Sequence, residues 1–182
     1  MTYNKLLTII KNFFNFKRMK LKRDFNGKID FETGDRRIDY IVIHCTATPQ
    51  NTKVESIIRY WKYVLVWEYP GYHVIIDKDG EATQLLDMSI PSNGVKGYNE
   101  NSVHISYIGG VDENNKPIDN RTNVQKLRME GIVWYLKYFY PEAEVLGHRD
   151  FPGVKKDCPC FDVKEWYKQM NLKYEAQRNK IR

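Results

Sequence analysis

No apolar run in the sequence approaches the ~20 residues that a membrane-spanning helix needs, which excludes a helical integral membrane protein. Internal repeats and low-complexity tracts are also missing, so neither a solenoid nor a long flexible linker is in view. Cysteine is scarce, with only Cys45, Cys158 and Cys160 present. An odd count, two of them in a Cys-Pro-Cys cluster, is not a disulfide framework. It fits a reducing compartment at synthesis and a cysteine free to bind metal. No helix-turn-helix, zinc-finger or RNA-recognition motif accompanies the basic residues. No short zinc signature of the His-Glu-x-x-His kind is present either.

What is present is a chain of 182 residues with a formal charge of +6. That length suits one domain around one core. The charge suits a polyanionic partner such as a cell wall, a nucleic acid or an anionic membrane, and equally a soluble domain with a few extra lysines. Residues 1–35 read as a basic N-terminal extension, partly helical or disordered, and residues 36–182 as the compact domain with a C-terminal helix. Within the extension, Leu6, Leu7, Ile9, Ile10, Phe13 and Phe14 have helix-like spacing, and Lys17, Arg18, Lys20, Lys22 and Arg23 follow. A basic amphipathic segment over residues 1–24 can make weak contact with an anionic membrane. The plainer reading is a frayed terminal helix, or sequence upstream of a start at Met19. A secretory signal fits poorly, because Lys11 breaks the apolar stretch and no A-x-A-like site follows. The expectation is therefore accumulation in the cytoplasm.

Tyr40 to His44 is apolar on both faces and predicts a buried central strand. Thr52 with Glu55 predicts a capping box, opening a helix with Val54, Ile57, Ile58, Trp61 and Leu65 inward. Tyr72 to Asp77 and Ala82 to Leu86 predict a hairpin around Asp79-Gly80. Asp77-x-Asp79-Gly80 lacks the downstream ligands of a calcium loop. Val103 to Ile108 predicts a further strand. Thr122 with Gln125 predicts a second capped helix, with Val124, Leu127, Ile132, Tyr135 and Phe139 inward, ending at Pro141. Glu144 to Gly147 predicts a short strand delivering His148. Asp162 and Glu165 predict the cap of a last helix. The fold class is α/β, a central mixed sheet flanked by helices in a single domain.

Three side chains stand out. His44 ends a buried strand, His148 follows another strand directly, and Cys158 lies in Lys156-Asp157-Cys158-Pro159. Strand ends from separate parts of the chain make a rigid site. Two imidazoles and one thiolate leave a tetrahedral zinc its open catalytic corner. Taken singly, each has a plainer explanation: a hydrogen-bonded core histidine, or a cysteine acting as a small hydrophobe.

The sequence resembles the type 2 N-acetylmuramoyl-L-alanine amidases, above all the short phage endolysin branch, which share a fold with animal peptidoglycan recognition proteins. The resemblance covers roughly residues 38–170. It is carried by Ile41-Val42-Ile43-His44-Cys45-Thr46-Ala47-Thr48; by Arg59-Tyr60-Trp61 with Trp67; and by Gly71-Tyr72-His73-Val74-Ile75-Ile76. Lys96-Gly97-Tyr98-Asn99-x-Asn101-Ser102 with Ile108-Gly109-Gly110, and Gly147-His148 with Lys156-Asp157-Cys158-Pro159-x-Phe161-Asp162, complete it.

The resemblance implies one Zn2+ on His44, His148 and Cys158 and catalytic roles for Tyr72 and Lys156. It implies hydrolysis of the amide between N-acetylmuramic acid and L-alanine in peptidoglycan, by a monomeric lytic enzyme that reaches the wall after release, with no nucleic-acid partner. Lys62 stands where the family often has histidine, and Val66 where a glycine commonly turns the chain. The loop between His148 and Cys158 is longer than in some phage members. No substrate-binding residue is assigned, although Asn93 stands where a relative has a polar cleft residue. Cys160 is an alternative to Cys158 as ligand. Tyr72 and His73 must point to opposite faces; Tyr72 is placed toward the metal, and His73 and His104 are read as structural or peripheral. Rival readings are a non-catalytic peptidoglycan-binding module, a basic nucleic-acid-binding protein with a structural zinc, and cleavage of a stem-peptide bond instead.

Overall fold

A computed structural model describes residues 29–31 and 33–180, with side chains through 176. The amphipathic reading of residues 1–24 lies outside the described residues.

Five strands form one sheet: β1 (Tyr40–Cys45), β2 (Val74–Ile76), β3 (Ala82–Gln84), β4 (Ser102–Tyr107) and β5 (Glu144–Gly147). Their order is β3-β2-β4-β1-β5. Only β3 runs antiparallel, through its hairpin with β2; β1, β2 and β5 join the sheet in parallel. This is the mixed sheet expected from the sequence. Three α-helices accompany it among the described residues: α1 (Val54–Tyr63), α2 (Asn123–Phe139) and α3 (Val163–Lys180).

The central strands are buried on both faces, so their alternation separates two cores rather than core from solvent. Ile41, Ile43 and Cys45 of β1 join Val103, Ile105 and Tyr107 of β4 and the inward residues of α2 and α3. On the other face Val42 packs with Val95, Leu146 and Phe151, and Ile75 packs with Ile57 and Trp61 of α1. His44 therefore belongs to the α1 face, two residues along from Val42. Ile29 and Phe31, which sequence reading assigns to the extension, are buried in the α2/α3 core. Phe31 stacks on Tyr135 at a centroid separation of 5.2 Å.

The capping predictions divide. Thr122 accepts from the Gln125 backbone at 3.2 Å and its own N–H donates to the Gln125 side chain at 3.0 Å, as expected. Asp162 accepts from the Glu165 N–H at 2.9 Å. Thr52 does not cap α1: the helix begins one residue later than the box requires, Lys53 is the cap residue, and the Thr52 N–H is committed to a turn with the Pro49 carbonyl at 3.0 Å. The inward faces also shift. Ile57 and Trp61 are buried in α1, while Ile58 and Leu65 are exposed, Leu65 lying beyond the helix end. In α2 the buried side is Met129, Ile132, Val133 and Leu136, and Leu127 and Phe139 are exposed. Apolar residues surround α2, so periodicity alone does not fix its orientation. Gln125 and Arg128 are buried instead, donating to the Ile108 carbonyl at 3.0 Å and the Gly80 carbonyl at 2.8 Å.

Asp77 accepts from the backbone N–H groups of Asp79 and Glu81 at 3.0 and 2.8 Å, so it closes the β2–β3 turn. Arg36 acts as a staple, donating to the carbonyls of Met88, Asn99 and Ser102, the last two at 2.8 Å. It thereby fixes the long β3–β4 connection against β4.

Val66 has φ +52°, in the left-handed region where a β-branched residue is strained. It is 81% exposed, so no packing offsets the strain. Replacing Val66 by glycine is expected to stabilise the protein by about 1 kcal/mol, the strain relief exceeding glycine's entropic disadvantage. Thermal unfolding should show Tm raised by about 2–4 °C; an unchanged or lowered Tm would refute strain at this turn.

Candidate metal centre

The parallel pairing of β1 with β5 matches Ile43 to Gly147. The next residue on each strand is a histidine, so the register sets His44 beside His148. Their ring centroids lie 4.8 Å apart. His148 opens a short 3-10 turn, His148–Asp150, held by the Asp150 carboxylate accepting from the Gly147 N–H at 2.7 Å.

Cys158 comes back to this point on a tethered loop. The Arg149 N–H donates to the Cys158 carbonyl at 2.8 Å. The Tyr107 hydroxyl donates to the Pro159 carbonyl at 2.8 Å, and the Arg121 guanidinium lies 3.1 Å over the Phe161 ring. These contacts place the Cys158 Sγ 3.8 Å from His44 Nδ1 and 3.2 Å from the Cys45 N–H, which donates to it. One nitrogen of His44, one of His148 and the Cys158 sulfur all lie within 4.8 Å of one another. Donors on a tetrahedral zinc stand roughly 3.3–3.6 Å apart, given Zn–N near 2.0 Å and Zn–S near 2.3 Å. The three residues fit such an ion with small closure. The Cys45 N–H is thus aimed at the sulfur.

The other two cysteines are occupied elsewhere. Cys160 Sγ donates to the Gly110 carbonyl at 3.2 Å and lies 3.7 Å from Cys45 Sγ. Burial, then the neighbouring Cys45, pushes the Cys160 thiol up to about 12, so it stays protonated. Cys45 is raised further, first by its hydrogen bond to Cys158 and then by burial. Gly110 (φ +97°) admits this packing, since a Cβ there would lie 2.6 Å from the Cys45 Cβ.

Tyr72 and His73 do not part to opposite faces: the strand begins only at Val74, and both side chains lie on the α1 face, Tyr72 against Trp61 and His44 and His73 stacked on His104. The Tyr72 ring lies 5.0 Å from His44 and its hydroxyl donates to the Cys45 carbonyl at 3.2 Å. Burial raises its pKa, and the nearby Cys158 raises it further, so it remains a phenol. His73 donates from Nε2 to the Ile90 carbonyl at 3.0 Å and accepts at Nδ1 from the His104 N–H at 2.9 Å. Lys156 is exposed beside the three donors, and its positive charge contributes to lowering the pKa of both His44 and His148. Asn93 donates to the Tyr69 carbonyl at 2.7 Å, fixing the turn before Tyr72. Lys62 points its ammonium at the Tyr63 ring, 5.5 Å from the centroid.

His104 is the residue whose position sequence reasoning missed. It is fully buried, with Nδ1 3.0 Å from His44 Nε2. All four histidines of the chain thus form one run, His148–His44–His104–His73. The signal was available: Ser102, His104 and Ser106 alternate along β4 and place three polar side chains on one face of a buried strand.

Burial holds these imidazoles neutral. Desolvation takes His73 down to about 4, and desolvation followed by Lys156 does the same for His148. His44 and His104 are lowered further, burial again leading. The unfolded chain therefore binds more protons than the fold between about pH 6.5 and 4, and stability falls as pH drops through that window. Urea midpoints of the chelator-treated protein should decline steadily from pH 6.5 to 4; midpoints that hold level would contradict neutral burial.

A model of the family described as N-acetylmuramoyl-L-alanine amidase matches residues 34–161. The endolysin of Enterobacteria phage K11 is 34% identical over 147 residues, covering 80% of this chain and 95% of that protein. The endolysin of Escherichia phage T7 is 34% identical over 136 residues, covering 74% and 88%. Among solved structures, the N-acetylmuramoyl-L-alanine amidase LysC from Clostridium intestinale URNW superposes with TM-score 0.63 at 22% identity, over 75% of this chain and 87% of that one. Drosophila PGRP-LB superposes with TM-score 0.58 at 17% identity, over 70% and 78%. These structural likenesses bear on the fold; the family match and the phage relatives bear on descent. On both, the chain belongs to the N-acetylmuramoyl-L-alanine amidase family.

Proposed function

We propose that the protein hydrolyses the amide between N-acetylmuramic acid and L-alanine in peptidoglycan, as a monomeric phage-type lytic enzyme with one Zn2+ held by His44, His148 and Cys158. The observation that carries this is the convergence of those three donors, two neutral imidazoles and a sulfur facing a backbone N–H, in a chain of this family. In this reading the enzyme acts on the wall after release. No helix among the described residues is long and apolar enough to cross a membrane.

An amide is a weak electrophile with a poor leaving group. Zinc supplies Lewis acidity, polarising the carbonyl and making water acidic near neutral pH. The chain's own groups do the rest. Lys156, exposed at the rim, offers an ammonium to the oxyanion of the tetrahedral intermediate. Tyr72, kept as a phenol by burial, sits against His44, where it can orient the attacking water or pass a proton toward the L-alanine amine. The Cys45 carbonyl fixes the phenol's direction.

The non-catalytic alternative requires a broken donor set, and here all three donors and both accessory side chains are present. The experiment is digestion of purified wall with and without a chelator, read as new L-alanine amino termini by mass spectrometry. Chelator-sensitive release is expected; release of other stem-peptide termini, or none, would overturn the assignment. Alanine at His44, His148 or Cys158 should remove zinc and wall lysis together, whereas Cys160→Ala should keep both. Lys156→Ala should keep zinc and lose roughly 10²–10³-fold in turnover. Unchanged turnover would remove its role.

A further inference from the structure

His44 turns Nδ1 toward Cys158 and Nε2 away from it, onto His104 Nδ1 at 3.0 Å. An imidazole that gives one nitrogen's lone pair to a metal carries its proton on the other. The His44 Nε2–H then needs an acceptor, and His104 Nδ1 is in place to be it. We propose that His104 is a positioning residue for the metal centre: it accepts the His44 Nε2–H, fixing the ring's tautomer and orientation. This rests on the reading of His44 as a metal ligand.

Three features show that the position is built. First, the His104 ring occupies space opened by Gly94. A Cβ at Gly94 would lie 2.6 Å from His104 Cε1 and closer still to Nδ1, so no other residue type fits without moving the ring. Second, His73 secures the strand beneath it. The His104 N–H donates to His73 Nδ1 at 2.9 Å, and the two rings stack at 5.8 Å with planes 8° apart. His73 spends its Nε2–H on the Ile90 carbonyl at 3.0 Å, which fixes its own tautomer. Third, His104 Nε2 is buried and has no partner among the described residues. The His44 contact is thus the one side-chain hydrogen bond that His104 makes there, and it explains why an imidazole stands in the sheet.

The acceptor is an uncharged ring, where a carboxylate commonly serves. It orients His44 without adding negative charge beside the metal, leaving the ion's Lewis acidity undiminished by a second anion.

The test is zinc affinity by competition with a chromophoric chelator, with the visible spectrum of the Co2+-substituted protein as a coordination signature. Thermal unfolding of the metal-free proteins tracks the fold. His104→Phe, which fills the space without an acceptor, should weaken zinc binding about 10–100-fold. His104→Asn, which restores an acceptor near the same point, should recover most of it. Gly94→Ala should weaken binding by displacing the ring, and should have no further effect on a His104→Ala background. The proposal is overturned if His104→Phe or Gly94→Ala binds zinc as the parent does. It is equally overturned if His104→Asn is as weak as His104→Phe while the metal-free fold is intact. Should His104→Phe fail to fold, the Asn variant and the Gly94 pair decide. A parent protein that holds no zinc would instead refute the metal-centre reading on which the proposal rests.

Discussion

The pairing of β1 with β5 is the constraint on which the rest of the structure depends. Ile43 opposite Gly147 puts the following histidines side by side at the ends of two parallel strands. A slip of one residue would turn His44 into the α2/α3 core and bring Cys45 to the other face. The register is strongly specified because Ile41 and Ile43 are fully buried on one side and Val42 on the other. The apolar core thus positions the two histidines, and they inherit their rigidity from central strands buried on both faces.

Electrostatics follow from the same burial. The desolvation that holds His44 and His148 neutral keeps their lone pairs available for a metal at neutral pH. Lys156 stays at the rim, exposed, where an ammonium can meet substrate without desolvation of its own charge. The three cysteines, close neighbours in space, divide the work by environment. Cys158 receives a backbone N–H, while Cys45 is pushed toward the neutral thiol by its hydrogen bond to Cys158 and by burial, and Cys160 by burial and by Cys45.

Much of this was legible in the sequence. The strands showed as apolar runs ended by chemistry-bearing residues, and the element order followed from them. Tyr72 and His73 were not separable by strand alternation, because the regular strand starts only at Val74 and both side chains reach the His44 side. The misreadings have local causes. Thr52 is drawn into a turn with Pro49, so α1 starts without it. The α2 sequence is apolar around its circumference, and only tertiary contact selects Met129, Ile132, Val133 and Leu136. Ile29 and Phe31 looked like part of a basic extension because their partners, such as Tyr135, lie a hundred residues away. His104 was read as structural or peripheral; it is fully buried, and its contact with His44 was not legible because it exists only once β4 is laid beside β1 and Gly94 makes room. Val66, one of the positions where the sequence departs from the family pattern, carries the backbone strain that a glycine would relieve.

X-ray absorption at the zinc edge of the purified protein tests the central claim most directly. The account predicts a first shell with one sulfur near 2.3 Å and the remaining donors nitrogen or oxygen near 2.0–2.1 Å. A shell with two sulfurs, or with none, would contradict it.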